Sequence, residues 1–74
     1  MIRVKLDHLL LDKRMSVQSF AEAVGITAAN VSVLKNGRAK AVRFTTLEAM
    51  CRVLDCQPGE LLEFIDDGDP PSSL

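Results

Sequence analysis

Residues 16–37 read Ser16-Val17-Gln18-Ser19-Phe20-Ala21-Glu22-Ala23-Val24-Gly25-Ile26-Thr27-Ala28-Ala29-Asn30-Val31-Ser32-Val33-Leu34-Lys35-Asn36-Gly37. Val17, Phe20, Ala21 and Val24 recur at helical spacing, as do Val31 and Leu34. The first set predicts a helix over about 17–24 and the second a helix over about 28–35. Ser16 and Thr27 stand where an N-cap belongs, each with a side-chain oxygen for an unpaired amide of the first turn. Met15 with Phe20, and Ile26 with Val31, take the positions of two hydrophobic staples. Gly25 is expected to end the first helix with a positive φ. Ile26 then plugs the core, and Asn36-Gly37 tolerates the left-handed geometry that stops the second helix. Ala21 is small enough to let the two helices pack closely.

The rest of the chain frames this pair. Ile2, Val4 and Leu6 alternate with Arg3 and Lys5, a short strand pattern. From Leu6 the spacing becomes helical, so a first helix is placed at about 6–14. Thr45-Thr46-Leu47-Glu48 has the form of a capping box, Thr45 as cap and Glu48 reaching back. It opens a helix over about 46–54 that buries Leu47, Met50, Cys51 and Leu54. Pro58 suits the first position of a short fifth helix to about Leu62. Glu63 to Asp66 is read as a strand that could pair with Ile2-Arg3-Val4, within a chain or between chains. Residues 1–66 form one domain, and 67–74 have the composition of an acidic, Pro/Ser-rich disordered tail.

Composition narrows the function classes. A 74-residue chain is 47% apolar and lacks Trp and Tyr. That leaves little ring surface for stacking single-stranded bases. No apolar run reaches the roughly 20 residues needed to span a bilayer. Cys51 and Cys56 are too few for a disulfide framework and read as small buried side chains. A cytoplasmic, reducing setting is expected, with no membrane partner. The net charge of −1 hides an asymmetry. Residues 1–54 hold nine Lys/Arg against four Asp/Glu, whereas 55–74 hold six acids and no base. No acid falls between Glu22 and Glu48, and Lys35, Arg38, Lys40 and Arg43 lie in that gap. Phosphate attraction depends on such local potential rather than on pI.

Two helices joined by a Gly-Ile-Thr corner are the layout of a helix-turn-helix, which offers its second helix to the major groove of DNA. Removing the inward positions leaves Ala28, Ala29, Asn30, Ser32, Val33 and Lys35 facing out. Asn30 can pair in bidentate fashion with an adenine edge. Ser32 can reach a base or a phosphate, and Ala28, Ala29 and Val33 can meet thymine methyls. Lys35, Arg38, Lys40 and Arg43 are candidate phosphate ligands. Gln18, Ser19 and Thr27 join them, because helix starts favour anions. The bland alternatives stay open here: the alanines and Val33 as helix filler or a protein interface, Asn30 as a locally satisfied residue, and the cations as a solvated loop.

At this point the chain resembles a known family. Ser16, Phe20-Ala21, Gly25-Ile26-Thr27, Val31-Ser32, Leu34 and Asn36-Gly37 look like the Cro/C1-type, or Xre, helix-turn-helix family. Arg43-Phe44, Thr46-Leu47, Leu54-Asp55-Cys56 and Pro58-Gly59-Glu60-Leu61-Leu62 extend the likeness, particularly to its short single-domain members. The resemblance implies an all-α, five-helix, lambda-repressor-like fold, with short N- and C-terminal β-strands admitted at its ends. It also implies double-stranded DNA as partner, a homodimer on a near-palindromic site, and regulation of transcription in bacteria or phage. Two positions depart from the pattern. The family often has Gln where Val17 stands, and long polar residues where Ala28 and Ala29 stand. That leaves room for weak or shape-based reading.

The rival reading is a small protein-interaction module, an adaptor or antitoxin-like partner, using the apolar third-helix face and the acidic segment after Asp55. An enzyme is not expected. The single histidine, His8, lies on the outer side of the first helix, and no serine has a His and an acid at suggestive spacing. No cofactor, metal or small-molecule ligand is expected: Asp66, Asp67 and Asp69 resemble a fragment of a calcium loop but lack the downstream Glu.

Overall fold

Ser16 adopts an extended backbone (φ −80°, ψ 162°), and its hydroxyl oxygen accepts from the Ser19 N–H at 3.0 Å. This cap opens the helix on which the domain is built. The computed structural model describes residues 1–66, so the frayed tail expected over 67–74 lies outside the described residues. In chain order the elements are β1 (Ile2–Val4), α1 (Asp7–Asp12), α2 (Val17–Val24), α3 (Ala28–Lys35), α4 (Phe44–Leu54), α5 (Pro58–Leu61) and β2 (Leu62–Phe64). The fold is mostly helical, with a single two-stranded antiparallel ribbon among the described residues.

The apolar periodicities converge on one core. Phe20, Leu6, Met50, Leu54, Leu61 and Val31 are its largest sealed side chains, one or more from each helical region. No polar side chain is buried among the described residues. Met15, Val17, Val24, Ile26, Leu47 and Cys51 flank the core half-buried, so Ile26 closes its edge rather than filling its centre.

Four helices end by the same device. Among the described residues, Arg14, Gly25, Gly37 and Asp55 are those with positive φ, at 52°, 90°, 72° and 50°. The residue after each donates its N–H to a carbonyl five positions back. Met15 bonds Leu10 at 2.9 Å, Ile26 bonds Ala21 at 3.0 Å, Arg38 bonds Val33 at 3.1 Å and Cys56 bonds Cys51 at 3.0 Å. This six-residue closure is the Schellman motif, which brings the two bonded residues' side chains to one place. Two of the four were legible from glycine; Arg14 and Asp55 were not.

The strands pair within the chain, in the register Ile2↔Phe64, Arg3↔Glu63 and Val4↔Leu62. The second strand starts at Leu62, one residue before the expected 63–66 and shorter, because α5 stops at Leu61. Val4 and Leu62 pack down on the core, while Ile2 and Phe64 overhang it, 59% and 71% exposed. Arg3 and Lys5 hold Glu63 at 3.4 and 3.6 Å.

The expected capping box at Thr45 and Glu48 does not form. α4 begins at Phe44, with Arg43 as a cap that uses no side chain. The extended Arg43 carbonyl already accepts from the Leu47 N–H at 2.9 Å, which closes the first turn and leaves Thr45 inside the helix. A carboxylate back-bond appears instead at α5, where Glu60 Oε1 accepts from the Gln57 N–H at 3.2 Å.

The left-handed closures make opposite predictions for two substitutions. A Cβ at Gly25 would meet nothing within 4 Å, so Gly25→Ala should destabilise by backbone strain alone, about 1–2 kcal/mol. Arg14 already carries such strain, so Arg14→Gly should gain about 0.5–1 kcal/mol. Urea unfolding followed by circular dichroism reads both, and equal signs for the two variants would refute this account of the helix ends.

Candidate nucleic-acid interface

The axes of α2 and α3 meet at 107°. Helix-turn-helix pairs cross at about 90–120°. The corner is held at both sides of the turn. The Ala21 carbonyl accepts from the Gly25 N–H at 2.8 Å and from the Ile26 N–H at 3.0 Å. On the far side, Thr27 Oγ1 accepts from the Asn30 N–H at 3.0 Å and starts α3. Val31 and Leu34 then face the core, which fixes the rotation of α3 about its axis.

With that rotation set, Ala29 and Asn30 are exposed, and Ser32 and Val33 are half-buried. Ala28 leans partly on the core, so its methyl is less free than the sequence pattern implied. The Asn30 backbone N–H is used by the Thr27 cap, whereas its side-chain amide makes no hydrogen bond among the described residues. Asn30 and Val33 line a concave surface of about 550 Å³ together with Arg38, Lys40 and Arg43. Two candidate base readers and three candidate phosphate ligands, spread over fourteen positions of sequence, thus share one depression. Ala39, Ala41 and Val42 line it as well.

The other candidates sit around this depression rather than in it. Gln18 and Ser19 are exposed in the first turn of α2, where the Ser16 hydroxyl donates to Ser19 Oγ at 3.0 Å. Thr27 is exposed at its cap. Lys35 is drawn aside, its Nζ lying 2.9 Å from the Asp7 carboxylate at the start of α1. The acid-free gap in the sequence is therefore not wholly acid-free in space. Arg38, Lys40 and Arg43 differ from Lys35, for none forms an ion pair among the described residues. Thr46 lines the same depression and was not a sequence candidate. The sequence pattern places it just after a cap at Thr45, whereas it lies in the first turn of an α4 that starts at Phe44.

A right-angled helix pair beside an unneutralised basic loop defines a helix-turn-helix domain. The chain belongs to the Cro/C1-type helix-turn-helix DNA-binding domain family, whose model matches residues 5–67. It is 53% identical over 68 residues to YozG of Bacillus subtilis (strain 168), an uncharacterized HTH-type transcriptional regulator, covering 92% of this chain and 81% of that protein. Its fold is similar to the crystal structure of the transcriptional regulator VanUg, with a TM-score of 0.69, 32% identity and 89% of each chain covered. The family is one of binding domains, not enzymes. Among the described residues no single helix is long and apolar enough to cross a membrane.

The cap at Thr27 ties stability to the interface. Thr27→Ala should cost about 0.5–2 kcal/mol by freeing the Asn30 amide, and Thr27→Ser should restore most of it. Paired thermal melts measure this, and a serine variant no better than alanine would show that the hydroxyl is not the cap.

Proposed function

We propose that this chain binds duplex DNA and regulates transcription, with α3 reading the major groove. The observation that carries the reading is the shared depression, in which the free amide of Asn30 lies beside Arg38, Lys40 and Arg43 without acidic partners. Asn30 reads an adenine edge, with Ala28, Ala29, Ser32 and Val33 as close contacts. The three cations, with Gln18, Ser19 and Thr27 across the corner, grip the backbone. Lys35 joins them on exchanging Asp7 for a phosphate. Asp7 is 81% exposed in its side chain, so the pair is weak and easily traded.

The reading includes a homodimer on a near-palindromic site, its two α3 helices about 34 Å apart in successive grooves. Among the described residues, in-chain pairing of β1 with β2 leaves each strand one unpaired edge, beside exposed Ile2 and Phe64. Such an edge can add a second copy. The rival protein-interaction reading draws less support, because Glu63 of the acidic segment is already held by Arg3 and Lys5.

Selection from a random duplex pool at two salt concentrations tests the whole reading. The expected product is an enriched site with two half-sites about one helical turn apart. Asn30→Ala should flatten the preference at one base position per half-site by about 1–3 kcal/mol. Arg38→Ala and Arg43→Ala should weaken all sequences alike and reduce the salt slope by about 0.9 per lost contact. Unselective pools at both salts, with no variant altering duplex affinity, would refute DNA reading. Stoichiometric capture of a protein partner would then favour the rival.

A further inference from the structure

α4 ends in the six-residue closure described above, and its two bonded positions are both cysteine. The Cys56 N–H donates to the Cys51 carbonyl at 3.0 Å, across left-handed Asp55 at φ 50° and ψ 55°. In this motif the two side chains meet over the helix end. At the equivalent places α1 brings together Leu10 and Met15, and α2 brings together Ala21 and Ile26. At α4 the two bonded positions are both cysteine, and both side chains line one groove. Both are free in this structure.

Their surroundings differ in a useful way. Cys51 is half-buried and Cys56 is 9% exposed, and both line an open groove between α4 and α5 beside Phe44, Leu47 and Pro58. Burial pushes the Cys56 thiol above its ordinary pKa, with Cys51, Glu60 and Asp55 adding to the shift. Cys51 is the more exposed of the two and the one that meets solvent first.

We propose that Cys51 and Cys56 form a dithiol site that low-molecular-weight disulfides convert to an intrachain disulfide. The Cys51 thiolate attacks one sulfur of the small disulfide, whose bond breaks and whose other half leaves as a thiol. Cys56 then loses its proton and attacks Cys51 Sγ. The mixed bond breaks, and the second small thiol leaves. Two protein thiols are oxidised, one small disulfide is reduced to two thiols, and two protons pass to the leaving groups. The backbone closure has already paired the two residues before any bond forms, so the folded state favours this disulfide over one between copies. The new bond would fasten the end of α4 to the turn before α5, which runs directly into β2. This proposal stands apart from the DNA reading and needs no DNA in its test.

The experiment incubates the folded protein with oxidised glutathione, quenches with iodoacetamide and reads the intact mass, with circular dichroism confirming native helix content throughout. The expected result is a monomer two hydrogens lighter that takes no alkyl group, against two alkyl groups for the reduced protein. Cys56→Ser should stop at the mixed stage, with one glutathione retained on Cys51, and Cys51→Ser should not close. Two alkylatable thiols after prolonged incubation, glutathione adducts on the native sequence without closure, cross-linked copies, or closure only in urea would each overturn the proposal.

Discussion

The carbonyl of Ala21 takes two amides, those of Gly25 and Ile26, and the geometry of the domain turns on that doubled acceptor. An acceptor used twice forces the chain to reverse within one residue, and only a positive φ at Gly25 permits it. The reversal drops Ile26 at the rim of the core and lets Thr27 start α3 at 107° to α2. Phe20 and Val31, both fully sealed, then lock the angle from below. A fully buried aromatic of this kind is typically worth several kcal/mol. The per-residue average gives the chain a total stability of about 4–11 kcal/mol. Losing that contact would therefore cost a large share of the domain's stability, so the packing holds the face of α3 in place.

The sequence made this corner legible because each of its parts is carried by a residue with few other uses. Glycine marks left-handed backbone, Ser16 and Thr27 mark caps, and the apolar spacing marks the inner face. Legibility failed where ordinary residues perform the same task. Arg14 and Asp55 close α1 and α4 with the same backbone geometry as Gly25 and Gly37, but neither is a residue type that announces it. The start of α4 departs from the expected capping box for a related reason. Thr45 and Glu48 have the right chemistry for a capping box, yet the Arg43 carbonyl closes the first turn earlier and makes the side-chain cap redundant. The ribbon was readable as two strands, but the choice between pairing in the chain and pairing across copies depends on where α5 stops.

The charge pattern shows the same division between what lies along the chain and what meets in space. Counting along the chain isolates four cations in an acid-free gap. Folding returns one acid to them, Asp7, and it meets Lys35. The acidic segment after Asp55 is likewise divided, because Glu63 turns back to Arg3 and Lys5. Of the four cations in the gap, Arg38, Lys40 and Arg43 keep no acidic partner among the described residues, and they lie on the loop between α3 and α4 beside Asn30. That coincidence is not legible from sequence. It needs the folded path of the loop after Gly37, which brings Arg38, Lys40 and Arg43 to the depression that Asn30 lines.

A thin base-reading set on such a rigid corner has a physical consequence for the proposed function. Ala28 and Ala29 supply no long polar side chain, and Ala28 is partly spent on the core. Under the proposed function, direct discrimination would fall mainly on Asn30, and one bidentate contact would give about 1–3 kcal/mol. Small side chains have a compensating effect, since they let the α3 backbone approach the groove floor more closely than long ones would. Close approach of an inflexible surface makes groove width and the path of the phosphates matter, because the protein cannot adjust its angle to a poor fit. Specificity on this reading comes from the cost of deforming the wrong duplex as much as from hydrogen bonds to the right one. Doubling in a homodimer would amplify it, since a second rigid copy tests groove spacing as well as groove shape.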